Sequence, residues 1–155
     1  MSDVRAAILS IGDELVLGQT LDRNAAWLSE RLAAIGIATL EHRTVADDVA
    51  AIAEAYSSLA ERASLVVSTG GLGPTPDDLN TEAIAAAFAG ELEERPEIWQ
   101  AIQARISARG RPVAACNRRQ AWLPRGAAVL PNPTGTAPGI IWTPDPTVLP
   151  FPVQP

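Results

Sequence analysis

The sequence predicts an α/β domain: a three-layer αβα sandwich around a mostly parallel sheet. Three observations carry that prediction. Short apolar runs alternate with helix-length amphipathic segments, which implies right-handed βαβ units with helices on both faces of one sheet. The early runs are too continuously apolar for strands with a wetted face, as expected of a sheet covered on both sides. Most candidate helices also start at an aspartate, asparagine or proline, and two stop at a glycine.

In order, Ala6 to Ile11 reads as the first strand, ending at Gly12-Asp13-Glu14. Asp22 or Asn24 can cap a helix through Ala34, with Ala25, Leu28, Leu32 and Ile35 at helical spacing and Gly36 as the stop. Ile37 to Val45 reads as a second strand. Asp47 or Asp48 caps a helix over Val49 to Arg62, and Leu65 to Ser68 forms a third strand. Thr81 to Phe88 is alanine-rich and helical. Pro96 opens a longer helix to about Ala108, with Ile98, Ile102 and Ile106 one turn apart and Gly110 beyond its end. A short helical piece at Asn117 to Ala121, a turn at Pro124-Arg125-Gly126 and strands at Ala128 to Leu130 and Ile140 to Trp142 follow. From Thr143 onward five prolines fall in thirteen residues, so residues 1–142 are expected to form one domain and 143–155 an irregular proline-rich tail.

Composition removes several chemistries. The net charge is −6 and all twelve basic residues are scattered arginines, which argues against a nucleic-acid footprint. Without lysine there is neither Schiff-base catalysis nor a P-loop lysine. His42 is the only histidine and Cys116 the only cysteine, so an internal disulfide or a multi-histidine zinc site is out of reach, and Cys116 is expected to be buried or idle. No apolar run approaches the ~18 residues of a membrane span, and the opening residues lack a signal-peptide pattern. The expectation is a cytoplasmic protein without membrane or nucleic-acid partners.

The segment S-T-G-G-L-G-P-T-P-D-D, from Ser68 to Asp78, concentrates the chemistry. Glycines let the backbone approach a ligand, and successive N–H groups can hold phosphate oxygens without lysine. Asp77 and Asp78 would repel that phosphate unless a divalent cation such as Mg²⁺ lay between them. The same residues also fit a plain strand-to-helix turn with an aspartate cap. In an open parallel sheet ligands bind beyond the carboxyl ends of the strands, where Gly12-Asp13-Glu14, Thr69-Gly70-Gly71 and the Asn132 to Gly139 loop are all expected.

These loops carry a resemblance to the amino-terminal domain of the CinA (competence/damage-inducible protein A) family, which has the MoaB/MogA-like molybdopterin-binding fold. The matching segments are I-L-S-I-G-D-E-L-V-L-G-Q from Ile8, D-R-N-A-A-W-L-S from Asp22, S-T-G-G-L-G-P-T-P-D-D-L from Ser68, N-R-R-Q-A from Asn117 and L-P-N-P-T-G-T-A-P-G from Leu130. The resemblance implies a homo-oligomer, dimer or trimer, that binds a nucleotide or pterin phosphate with a divalent cation. The implied activity is hydrolysis of ADP-ribose at its pyrophosphate; adenylyl transfer to molybdopterin and a non-catalytic binding or assembly role are the alternatives. Carried over by position, Asp13 and Asp78 are the catalytic and metal-binding residues, with Asp77 as a further metal ligand and Glu14 as a neighbour. Thr69, Gly70, Gly71 and Gly73 would hold phosphate, and Asn132, Thr134, Gly135 and Thr136 would close the site. Arg118 and Arg119 are candidates for diphosphate oxygens or for surface ion pairs, and Asn24 for ligand contact or helix initiation. The tryptophans at 27, 99, 122 and 142 fit core or interface better than adenine stacking. The sequence departs from the family at 148–155, where V-L-P-F-P-V-Q-P replaces an acidic glycine-proline turn, and at Asn80, where threonine is commoner and polarity is kept.

Overall fold

Strand β1 (Arg5–Ile11) is buried from Ala6 onward because it has a neighbour on each edge and helices on each face. It pairs in parallel with β2 (Ala38–Val45) and β3 (Leu65–Thr69), and β3 pairs in parallel with β8 (Thr147–Phe151), giving the order β2-β1-β3-β8. The structure, a computed structural model, describes residues 4–144 and the backbone of 147–151.

Register assigns the two faces, since directly opposed residues of a parallel pair point the same way. Ile8 lies opposite His42 and Val67, and α2 (Arg23–Ala34) covers this face, where Ser29 Oγ meets His42 Nε2 at 2.5 Å. Leu9 lies opposite Arg43 and Ser68 on the other face. There Ile52, Tyr56 and Leu59 of α3 (Val49–Ala60) and Ile84 of α4 (Asn80–Ala87) close over Ala7, Leu9, Ile11 and Val66. A fully buried aliphatic side chain of this kind contributes roughly 1.5–3 kcal/mol. The three layers predicted from the alternation of runs are those observed.

A second core lies beside the first. Ile98 and Ile102 of α5 (Pro96–Ala108) pack with Ala121, Leu123, Ala137 and Ile140. Two antiparallel pairs frame it: β4 (Leu92–Glu94) with β5 (Trp122–Pro124), and β6 (Ala128–Leu130) with β7 (Gly139–Ile141). Trp142 packs against both cores and stands edge-on to Phe88 at 6.0 Å, as Phe88 does to Tyr56 at 6.5 Å. Among the tryptophans, Trp99 also packs on the second core, whereas Trp27 and Trp122 are exposed.

The structure differs from the sequence expectations in the tail and at Cys116, and adds elements they did not include. Residues 147–151 of the expected irregular tail form a strand; as the last strand in the sheet order, β8 needs ladder donors on one side only, which is where proline is tolerated. Pro150 sits opposite Ser68. The rest of the tail expectation, at 145–146 and 152–155, lies outside the described residues. Leu92–Glu94 and Trp122–Pro124, short and unpatterned in sequence, gain their strand character only from pairing with each other. A four-residue helix, α1 (Asp13–Val16), follows β1 directly. Cys116, expected to be buried or idle, is exposed in the 3₁₀ helix Ala115–Ala121, which removes the first of those alternatives. Among the described residues no helix is long and apolar enough to cross a membrane.

Candidate functional site

The carboxyl ends of β1, β2 and β3 open into one cleft of about 760 Å³, a size that accommodates a nucleotide. The first strand contributes Gly12, Glu14 and Leu15, the second Asp47, and the third Thr69, Gly70 and Gly71, followed by Thr75, Asp77 and Asp78. Arg23 and Asn24, at the start of α2, line the opposite wall, while Asp22 provides the helix cap by accepting from the Ala25 N–H at 3.0 Å. A smaller lobe continues between Gly70–Gly73 and Gly135, Thr136 and Ala137, with Asp78 on its border.

The glycine loop is held from beneath. Gly70 and Gly71 both adopt positive φ, 97° and 67°, and a Cβ on Gly70 would overlap the Ile11 carbonyl oxygen. Asn80, fully buried, accepts from Tyr56 Oη at 2.5 Å, donates to Ser68 Oγ at 3.2 Å and donates to the Gly70 carbonyl at 2.9 Å. Tyr56 Oη and Ser68 Oγ are 2.6 Å apart. The directions of these bonds follow from valence. Asn80 Oδ1 can only accept, so the one Tyr56 proton goes to it; Ser68 therefore donates to Tyr56, and both Asn80 amide protons are used. Burial pushes the Tyr56 phenol far above its ordinary range and outweighs its hydrogen bonds with Ser68 and Asn80, which keeps it a neutral donor. The Asn80 N–H also donates to the Gly71 carbonyl at 3.0 Å.

With both loop carbonyls turned inward, the N–H groups of Gly71, Leu72 and Gly73 have no acceptor among the described residues and remain available for an anion. Gly73 serves packing instead of a special φ: a Cβ there would meet the Asp78 carboxylate at 2.5 and 2.8 Å. Asp78 Oδ2 accepts from the Thr75 N–H at 2.8 Å and from Thr75 Oγ1 at 2.6 Å. Arg119 braces the same turn through the Thr75 and Asp78 carbonyls and pairs with Glu82 at 2.7 Å. Arg118 instead pairs with Glu94 across the surface at 2.6 Å.

Asp13 and Asp47 form a reciprocal clamp between the ends of β1 and β2. The Asp13 N–H donates to Asp47 Oδ2 and the Asp47 N–H to Asp13 Oδ1, each at 3.0 Å. Asp48, not Asp47, caps α3, accepting from the Ala51 N–H at 2.8 Å. Partial burial pushes the Asp47 carboxyl above the usual aspartate range; the hydrogen bond from Asp13 opposes this, and the charges of Asp13, Glu14 and Asp77 add to it. None of Asp13, Glu14, Asp47, Asp77 and Asp78 is ion-paired with an arginine among the described residues.

The structure therefore gathers Thr69, Gly70, Gly71, Asp77 and Asp78 with Glu14 in the cleft, and Gly73, Gly135 and Thr136 in the adjoining lobe. Asp13 stands beside the cleft with a carboxylate oxygen bound to Asp47. Asn132 and Thr134 line neither space. The Asn132 amide builds its own loop, accepting from the N–H groups of Thr134 and Gly135 and donating to the Ala137 carbonyl at 2.8 Å. Three residues of the site are not among those the sequence assigns to it: Asp47, expected only as a possible helix cap, Asn80 and Gln120. Gln120 borders the lobe, is 7% exposed, and has an Oε1 without a hydrogen-bond partner among the described residues. The two adjacent aspartates after β2 signal a spare carboxylate, since one helix needs one cap.

A model of the family described as "Probable molybdopterin binding domain" matches residues 7–153. The chain is 54% identical to a CinA-like protein of Parasynechococcus marenigrum (strain WH8102) over 157 residues, covering 100% of this chain and 38% of that protein. It is 53% identical to a CinA-like protein of Prochlorococcus marinus (strain MIT 9313), covering 96% and 35%. The chain thus spans little more than a third of the curated relatives it matches. Among solved structures, the protein CinA from Thermoplasma acidophilum superposes with a TM-score of 0.88 at 30% identity, covering 96% of this chain and 88% of that one. The molybdopterin biosynthesis enzyme MoaB of Thermus thermophilus superposes with a TM-score of 0.61 at 21% identity, covering 96% and 80%, a likeness that shows the fold alone. The chain belongs to the molybdopterin-binding domain family, as one of its CinA-like members.

Proposed function

We propose that the domain binds a nucleoside diphosphate ester in the cleft and hydrolyses ADP-ribose at its pyrophosphate, in the cytoplasm and with a divalent cation, most simply Mg²⁺. The observation that supports this is the meeting of free backbone donors and unneutralised carboxylates across the cleft and its adjoining lobe: Gly71, Leu72 and Gly73 on one side, Asp47, Asp77 and Asp78 on the other, with Asp13 beside them. That donor set fits a cation. A carboxyl group such as that of Asp47, whose proton affinity is raised by burial and by neighbouring carboxylates with no arginine partner, marks a site that a divalent ion would stabilise. Among the described residues no three carboxylate, histidine or cysteine side chains gather closely enough to chelate an ion alone, so substrate oxygens would complete the shell, as is common for Mg²⁺. One or two of Asp13, Asp77 and Asp78 would hold it together with those substrate oxygens, and when bound it would polarise a phosphoryl oxygen and lower the pKa of a coordinated water.

The residues themselves supply orientation and charge. The loop N–H groups stabilise negative charge growing on the phosphoryl oxygens. The Asp47 carboxyl, raised in proton affinity, accepts the proton of the attacking water. Water oxygen bonds to phosphorus, the bridging P–O bond breaks, and AMP and ribose 5-phosphate leave. The experiment is product analysis with ADP-ribose and Mg²⁺, beside a metal-free control and Asp78→Asn. AMP and ribose 5-phosphate only in the wild-type, metal-containing sample supports the reading; folded protein yielding no product overturns it. ATP consumption only when molybdopterin is supplied would assign adenylyl transfer instead, and ligand-induced thermal stabilisation without turnover would assign a binding domain. Self-association belongs to the same proposal: Leu17, Leu21, Trp27 and Ile35 are each more than half exposed, and sedimentation of the purified chain as a monomer would refute it.

A further inference from the structure

We infer that Asn80 is the positioning residue of this site: its buried amide fixes which way the Gly70–Gly71 peptide faces, and so whether the Gly71 N–H is presented to an anionic ligand. The argument starts from covalent geometry. In a trans peptide the C=O and the following N–H point in opposite directions. The Gly70 carbonyl is drawn inward by Asn80 Nδ2 at 2.9 Å, so the Gly71 N–H faces away from the buried network, and Gly71 borders the cleft. Glycine on both sides of that peptide leaves the flipped orientation sterically open, because neither residue has a Cβ to forbid it. What selects one orientation is the hydrogen bond.

The network makes that selection sharp. Rotating the Asn80 amide would set its oxygen against the Gly70 carbonyl oxygen, two acceptors face to face in a buried site, whereas the hydroxyls of Tyr56 and Ser68 can turn to suit either orientation, so the carbonyl decides it. The amide is thus locked with a donor toward the loop. Its own backbone N–H holds the next carbonyl, that of Gly71, at 3.0 Å, which turns the Leu72 N–H outward by the same geometry. Two consecutive N–H groups are aimed by one residue. None of this requires Asn80 to touch the ligand; it acts through the peptides it holds.

The proposal rests on the reading of the cleft as an anion site, and its test separates the two. Inorganic pyrophosphate serves as the probe, by calorimetry with and without Mg²⁺, and residual dipolar couplings of ¹⁵N-labelled protein give the Gly71 N–H direction without any ligand. Asn80→Thr keeps a side-chain donor, and Asn80→Val has the same shape without one. Leu59→Ala, at the end of α3 remote from the cleft, supplies a destabilised control. The expected result is pyrophosphate binding weakened at least about tenfold in Asn80→Val, the value of roughly one hydrogen bond to a charged ligand. Asn80→Thr and Leu59→Ala should stay within about threefold of wild type, less than such a bond is worth. The Gly71 N–H vector should turn in the valine variant alone. Equal binding by the threonine and valine variants, a loss in Leu59→Ala matching that in Asn80→Val, or an unturned vector in Asn80→Val would each overturn the proposal. If wild-type protein binds no pyrophosphate, the reading of the cleft fails, and the vector measurement still decides the role of Asn80.

Discussion

The loop after β3 is fixed from inside the protein by neutral groups, whereas the loop at 131–138 is fixed from outside by two arginines. Beneath the first lie Tyr56, Ser68 and Asn80, all fully buried, with the Gly70 carbonyl as their outlet. Across the second, Arg105 donates to the carbonyls of Asn132, Pro133 and Gly135, and Arg109 reaches that of Thr134. One loop turns its carbonyls inward and offers its N–H groups; the other turns its carbonyls to guanidinium groups and uses the N–H groups of Thr134 and Gly135 on Asn132. The difference teaches which loop is built to meet an anion. It also predicts unequal costs of damage, because an orphaned buried group loses its full hydration while a wetted one recovers water.

The largest effect should come from Gly70→Ala. Its positive φ and the overlap of a Cβ with the Ile11 carbonyl leave no local relaxation, since the obstacle is the backbone of β1. A loss of about 3 kcal/mol or more is expected in urea unfolding, with the cleft distorted in the surviving native state. Tyr56→Phe comes next. It removes the proton held by Asn80 Oδ1 and the acceptor used by Ser68, leaving both without water to replace them, at a cost of about 2 kcal/mol in the same assay. A change below about 0.5 kcal/mol would mean that the inner network is not what holds this loop.

Arg105→Ala tests the other half of the comparison. Three carbonyls lose a donor at once, yet they lie in a loop that is exposed or half-buried, so water substitutes and stability should fall by only about 1 kcal/mol. Local order should suffer more than global stability. Faster amide exchange confined to 132–137, with little change near Gly70, is the expected signature; equal acceleration in both loops would erase the distinction between them.

How much of this could be read in the sequence depends on whether the cause was local. Strand ends, glycines and carboxylates are local, and the alternation of runs placed the loops after β1 and β3 on one edge of the parallel sheet; the Asn132 to Gly139 loop, expected on the same edge, instead joins β6 to β7 of a separate antiparallel pair. Asn80 shows the limit: its polarity was visible, but an asparagine that merely keeps polarity and one that is fully buried with three side-chain bonds look the same on the page. Tyr56 likewise sits in an alanine-rich helix whose pattern says buried and nothing about a hydroxyl partner in β3. The prolines of the tail argued against regular structure because the permitted place of Pro150, a strand at the end of the sheet order, is a tertiary fact. Asn132 was read as a wall of the site and proves to be the frame of its own loop, since one amide can do either and only the register of the turn decides.

The smallest prediction concerns the acidic side of the cleft. In the folded protein burial and the charges of Asp13, Glu14 and Asp77 raise the Asp47 carboxyl, so the folded state binds its proton more tightly than the unfolded chain does. The stabilising contribution is then complete below the unfolded pKa and disappears as pH rises through the raised folded pKa, which leaves a penalty at neutral pH. Asp47→Asn keeps an acceptor for the Asp13 N–H and removes the charge. It should therefore stabilise the cation-free protein at neutral pH by no more than about 0.5 kcal/mol, as surface charge changes do, and the gain should vanish under acid conditions. Thermal melts across pH make the comparison, and a second series with Mg²⁺ sharpens it. If a cation occupies this cleft, it should remove the wild-type penalty and stabilise wild type more than Asp47→Asn, reversing their order; an unchanged order in saturating Mg²⁺ would place the ion elsewhere.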